Sequence, residues 1–166
     1  MANEFTDTDF TGTVRVNGVD ITSGITGGDL AALAVLQLVG VDATANGVIG
    51  GDAWLKTTAQ ASPNLTVKVS AGTCFVAGVL AGDTDGVASL TGFAAPSANP
   101  RIDIVQISNA GVITRKAGAE NASPTAPTVD AGNLKLAEVY NRVGQTSVKN
   151  TDDATNGYIT NNGVHI

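Results

Sequence analysis

Hydrophobic and polar positions alternate along most of this chain in short runs, each broken by Gly, Pro or Asn. The clearest local pattern is Thr13-Val-Arg-Val16, Asn17-Gly18, Val19-Asp-Ile-Thr22. Successive side chains of a strand face opposite sides, and an Asn-Gly link supplies the positive φ that a type I′ turn needs at both central positions. This segment therefore predicts a β-hairpin. Further on, Leu65-Thr-Val-Lys-Val69 alternates, Ser70-Ala-Gly72 turns, and residues 73–80 (TCFVAGVL) continue in β. Gly82 to Gly86 predicts a turn and Val87 to Leu90 a short strand. After a loop at 94–100, Arg101 to Ile107 and Val112 to Arg115 form two more, joined by a turn at Asn109 to Gly111. The connector Ser123-Pro-Thr-Ala-Pro-Thr128 precedes the last strong strand, Leu134 to Tyr140. Tyr158 to Thr160, Asn161 to Gly163 and Val164 to Ile166 read as a terminal hairpin.

One segment breaks the period of two. Asp29 to Gly40 (DLAALAVLQLVG) predicts a helix, with Asp29 as N-cap and Gly40 at the C′ position. Its apolar residues occupy nearly the whole circumference. Such a helix is buried, either in a core or against a partner or copies of itself. The residues before it, MANEFTDTDFTG, form a polar arm with Phe5 and Phe10 as its only large apolar anchors. Composition shifts near residues 42–52 (DATANGVIGGD). We therefore expect an assembly segment at 1–50 and an antiparallel β domain at 51–166. The expected fold is mainly β: a compact antiparallel sandwich or barrel carrying an arm, a hairpin and one short apolar helix.

Composition narrows the function more than it names one. In 166 residues there are 20 Gly, one Trp, two Tyr, four Phe, one Cys and one His, so the core must come from Val, Ile, Leu and Ala. The net charge is −6, and the nine Lys and Arg are scattered singly. Nucleic-acid binding draws on a clustered basic face, which this pattern does not supply. The acidic, polar N-terminus does not read as a secretory signal, and the longest apolar run, from Leu30 to Val41, is short for a bilayer span. We expect no nucleic-acid partner, no membrane and no cofactor.

Candidate chemistry is thin. Asp83-Thr-Asp85-Gly86 invites a calcium reading, but Val87 and Ala94 stand at the fifth and twelfth positions, where the loop needs an oxygen ligand and a Glu. Asp152-Asp153 reads as a solvated loop. Arg101 and Asp103, two apart in a strand, face the same side and predict an ion pair. Cys74, with no histidine near it, reads as a buried small hydrophobe, and the single His165 cannot build a relay or a His-rich metal site. Asn64-Leu-Thr66 and Asn121-Ala-Ser123 match the glycosylation acceptor by chance. Gly47 to Gly51 lacks the Lys-Ser/Thr of a phosphate loop. Trp54, Tyr140 and Tyr158 are the only aromatic candidates for surface recognition, a poor supply for a sugar groove. A hydrolase is not expected.

Three pieces occur in a telling order: LTVKVSAGTCFVAG (65–78), Pro100-Arg-Ile-Asp103 leading into IVQIS, and ITRKAGAENASPTAPTVDAGNLKLAEVY (113–140). Together they resemble the β domain of tailed-bacteriophage structural proteins, which include head-decoration, head-fibre, baseplate and tail-fibre subunits. The resemblance covers a little under half of the chain. It implies a homotrimeric, non-enzymatic virion protein, made in the host cytoplasm, whose partners are the major capsid protein or other virion proteins. A short subunit with an arm, hairpin and apolar helix fits a capsid-decoration (cement) role, with Phe5, Phe10, Leu30, Leu33 and Leu36 as assembly contacts. The alternative is a baseplate or tail-fibre adaptor that binds a host-surface glycan through Trp54, Tyr140 or Tyr158.

Overall fold

The structure, a computed structural model, describes residues 46–162 and the strand backbones at 14–16 and 19–21. The chain divides into two compact units, 1–40 and 41–166. In the first, β1 (Val14–Val16) and β2 (Val19–Ile21) pair antiparallel with Val16 opposite Val19, the register of a two-residue link. The arm with Phe5 and Phe10, and the expected helix with Leu30, Leu33 and Leu36, lie outside the described residues.

The second unit is mainly β, in three sheets, and the described residues contain no helix. β3 (Gly47–Ile49), β6 (Gly72–Val76) and β7 (Val79–Asp83) form one sheet in the order β3-β6-β7. β4 (Thr57–Ala59), β5 (Val67–Val69) and β8 (Val87–Leu90) form a second, in the order β4-β5-β8. The largest has the order β10-β9-β11-β13-β12, built from β9 (Arg101–Ser108), β10 (Ile113–Lys116), β11 (Asn133–Asn141), β12 (Val148–Lys149) and β13 (Gly157–Asn162).

All three sheets contribute to one apolar core. Val48 and Val76 come from the first, Val67 and Val69 from the second, and Val105, Ile107, Leu136 and Val139 from the third. Phe93, fully buried on the connection into β9, is the largest side chain of that core and compensates for the scarcity of aromatics. Truncating such a residue costs about 3–5 kcal/mol. β9 is an inner strand buried on both faces: Val105 and Ile107 join the core on one, and Gln106 on the other bonds Asp130 of the 117–132 connector. Val105 and Ile107 face the core, with Asp103 on that same face by the period of two.

Four expectations are corrected. The segment 73–80 is two strands, because Ala77 (φ 52°) and Gly78 (φ 77°) both occupy the left-handed region and make a two-residue turn between Val76 and Val79. The stretch read as a boundary contains β3, which pairs with β6 through Val48 opposite Cys74. The sheet is not wholly antiparallel, since β12 pairs parallel with β13. β13 also runs through Asn161 and Asn162, where a turn was expected, because both lie opposite β11 residues, Glu138 and Ala137.

Candidate functional site

The polar residues of the largest sheet fall into two groups, one at the end of the core and one on the opposite face. At the core, Asp103 is fully buried and accepts from four donors. Arg101 Nε lies 3.0 Å from Oδ1, Arg115 Nε 2.9 Å from Oδ2, the Arg115 terminal nitrogen 2.8 Å from Oδ2, and the Gly118 amide 3.0 Å from Oδ1. The expected Arg101–Asp103 pair is therefore real, and Arg115 joins it from β10. Register explains why: Arg115 stands opposite Val105 on β9, two residues from Asp103 and on its face. The Arg115 guanidinium also lies 5.6 Å from the Phe93 ring centre, and Arg101 donates to the Ala94 carbonyl at 2.8 Å. All four donors belong to the sheet or to the connector after it, so the Asp103 carboxylate ties these segments together.

Gly118 reaches Asp103 only because it lacks a side chain. A Cβ there would collide with the Ile102 carbonyl oxygen. The connector that follows is fixed at both ends. Glu120 accepts the amides of Ser97 and Ala98 at 2.9 Å and of Asn99 at 3.3 Å. These backbone bonds hold its carboxyl at about 2, below the usual range. At the far end, Gln106 and Asp130 exchange two hydrogen bonds, at 2.5 and 3.1 Å, and Lys116 Nζ lies 2.6 Å from the same carboxylate. The lysine and the Gln106 amide push Asp130 downward.

On the opposite face Tyr140 and Tyr158 are cross-strand partners with ring centres 5.4 Å apart. Arg142 follows Tyr140 by two, which puts both on one face. Its guanidinium lies 5.1 Å from the Tyr140 ring centre and 5.0 Å from that of Tyr158. It also bonds Asp152 at 2.9 Å and the Asn156 carbonyl at 2.9 Å. The Asp152 bond raises the Arg142 pKa and lowers that of Asp152. Two aromatics named by the sequence thus come together, but an arginine lies over them and ties them to the 152–156 turn. Trp54 takes no part in that pair. It sits 44% exposed on the turn after β3, its ring against Gly50.

Beneath this face, Gln145 is buried and spans three groups. It donates to the Phe93 carbonyl at 2.8 Å and to Asn141 at 2.9 Å, and accepts the Arg142 amide at 2.6 Å. Nothing local in the sequence marks Gln145 or Glu120, whose partners lie 52 and 23 residues away at the extremes. Arg142 carried a readable signal, its spacing of two from Tyr140.

The remaining candidates have structural partners or none. Asp83 caps its own turn through the amides of Asp85 and Gly86. Asp153 likewise accepts the amides of Thr155 and Asn156, which with the Asn156 side chain lower its pKa strongly. Cys74 is buried, and desolvation pushes its thiol up to about 11, too high for a thiolate nucleophile at neutral pH. Among the described residues no group of three or more His, Cys, Asp or Glu could hold a metal ion. A shallow groove of about 510 Å³ opens beside β4, lined by Thr58, Gln60, Pro63, Lys68, Lys149 and Asn150 among others. Among the described residues no helix is long and apolar enough to cross a membrane. No family model, curated protein or solved structure matches this chain.

Proposed function

We propose that this chain is a non-enzymatic structural subunit of a tailed-phage virion, a capsid-decoration protein that binds and stabilises the assembled particle. The sequence resemblance over residues 65–140 suggests the family. The observation that carries the reading is the inward commitment of that stretch's polar residues. Arg101, Asp103, Arg115 and Glu120 hold loops to the sheet, as a rigid spacer requires and a reaction centre does not. We read the three sheets around one core as a β-sandwich that projects from the particle. The residues before β3, with Phe5, Phe10, Leu30, Leu33 and Leu36, form the contacts with the shell and within a homotrimer. Stabilisation follows from mass action, since a subunit that binds only the assembled shell lowers its free energy.

Imaging of particles made with and without this chain tests the reading. Density at regular capsid positions, lost when the chain is deleted, is the expected result. A stable monomer in sedimentation that binds no particle overturns it. The second reading, a tail or baseplate adaptor that binds glycan, draws on exposed Trp54. Density at the tail and glycan binding lost in Trp54→Ala would favour it.

A further inference from the structure

We propose that the groove beside β4, where β4 and β5 meet the segment of β12, binds a compact sugar carrying one anionic group, a carboxylate or a phosphate. The nine Lys and Arg are scattered along the sequence, eight of them in residues 46–162. Five of these hydrogen-bond a carboxylate: Arg101 and Arg115 hold Asp103, Lys116 holds Asp130, Lys135 holds Glu138 and Arg142 holds Asp152. Lys56, Lys68 and Lys149 have no such bond among the described residues, and the fold gathers these three. Thr57, Ala59, Val67 and Val69 are buried, so Lys56, Thr58 and Lys68 take the outer face of β4 and β5. Lys68 stands opposite Thr58 and diagonal to Lys56, whose carbonyl extends the ladder by accepting the Ser70 amide at 3.0 Å. Lys149 reaches the groove from β12. Its Nζ lies 3.6 Å from Asp153, a carboxylate already taken by the Thr155 and Asn156 amides.

Like charges at neighbouring sheet positions repel. Although the chain is acidic overall, β4, β5, β8 and the lining of the groove contain no carboxylate to offset that repulsion. An anion from outside does so. The walls are set in advance, because the Ala59 amide donates to Asn150 Oδ1 and the Val148 amide to the Asn64 carbonyl, both at 2.8 Å. A preformed site spares a ligand the cost of ordering it. The volume of about 510 Å³ falls in the range of small-molecule sites. Hydroxyl groups suit the uncharged lining. Asn150 spends its oxygen on Ala59 and keeps its amide donors, whereas Gln60 spends its donors on the Thr66 hydroxyl and the Ala88 carbonyl and keeps its oxygen. A sugar hydroxyl donates and accepts, so it answers both. No aromatic ring lines the groove, which leaves a nucleobase without a stacking face. The net charge of −6 repels an extended polyanion, so the occupant is compact. Lysine is a point charge that serves carboxylate and phosphate alike. The site does not rest on the virion reading: absence of the chain from particles would leave its binding untouched.

Titration of the full chain, followed by its amide NMR signals, tests it with four separate probes: glucuronate, glucose 6-phosphate, glucose and inorganic phosphate. Glucuronate or glucose 6-phosphate should shift the amides of residues 58–61, 68 and 149–151, with affinity that falls as salt rises. The tighter of the two identifies the anionic group. Lys68→Gln and Lys149→Gln should each weaken that binding by about tenfold while leaving the melting temperature in place. Lys135→Gln removes a paired lysine outside the groove and should leave the affinity unchanged. Absence of shifts with both anionic sugars overturns the proposal. Equal binding of glucose or of inorganic phosphate overturns it too, as does binding that both Lys68→Gln and Lys149→Gln leave intact.

Discussion

Asp103 and Asp152 are both held by arginine at nearly the same distance, 2.8–3.0 Å against 2.9 Å, yet they do different work. The Asp103 side chain is wholly buried, whereas that of Asp152 is 43% exposed. Water already solvates Asp152, so its pair with Arg142 adds little beyond holding a turn. Asp103 is shut off from bulk solvent, and four donors converge on its carboxylate. Length alone says nothing about the worth of an ion pair; the surroundings decide it.

The largest expected effect follows at the buried pair. Asp103→Ala leaves Arg101 and Arg115 facing each other with 12% and 20% exposure and strips the Gly118 amide of its acceptor. We expect a loss of about 3–5 kcal/mol in urea unfolding. A loss below about 1 kcal/mol would show that the arginines escape to water and that Asp103 is no more than a surface pair.

Gln145 separates charge from burial in that comparison. It is as hidden as Asp103 but neutral, and Gln145→Leu would orphan the Phe93 carbonyl, the Asn141 oxygen and the Arg142 amide. The cost should be about 2 kcal/mol, from buried groups left unpaired. If it equals that of Asp103→Ala, burial alone sets the scale and the charge adds nothing.

What was legible in the sequence follows the range of the interactions. The Arg101–Asp103 pair and the strands β9 and β11 are written in local alternation, so a period of two reveals them. β3, β4 and β12, of three, three and two residues, have no period to read and exist only through pairing with distant strands. The Ala77-Gly78 turn was hidden because apolar residues continue on both sides of it, and Ala is an uncommon choice at positive φ. Arg115 and Gly118 join Asp103 through register and a close backbone approach, neither visible before the strands are paired. The Tyr140–Tyr158 pairing likewise waits on register, although both aromatics stood out by rarity.

On the exposed side, Arg142→Ala should cost about 1 kcal/mol, the sum of modest cation–π and surface-pair terms. Thermal melts should show that shift, together with faster hydrogen exchange in the 152–156 turn. The same substitution uncovers the Tyr140 and Tyr158 rings. A gain in glycan affinity in this variant, absent from the wild type, would mean that the arginine acts as a cover over a sugar platform rather than as a staple.

The smallest effect is the most diagnostic in pH. Glu120 is exposed, as Asp152 is, but its partners are three backbone amides in place of an arginine. Its carboxyl sits at about 2 when folded, below the ordinary 4.5, so the folded state prefers the ionised form. Stability from this group is therefore complete above the ordinary value and declines as pH falls from about 4.5 to about 2. Melting temperatures of the wild type and Glu120→Ala should differ at neutral pH and converge across that window. Because the acceptors of those amides change while no cation is removed, convergence in low salt and high salt alike would mark hydrogen bonding as the source. A difference that salt abolishes at neutral pH would instead place Glu120 with Asp152, among charges that solvent already satisfies.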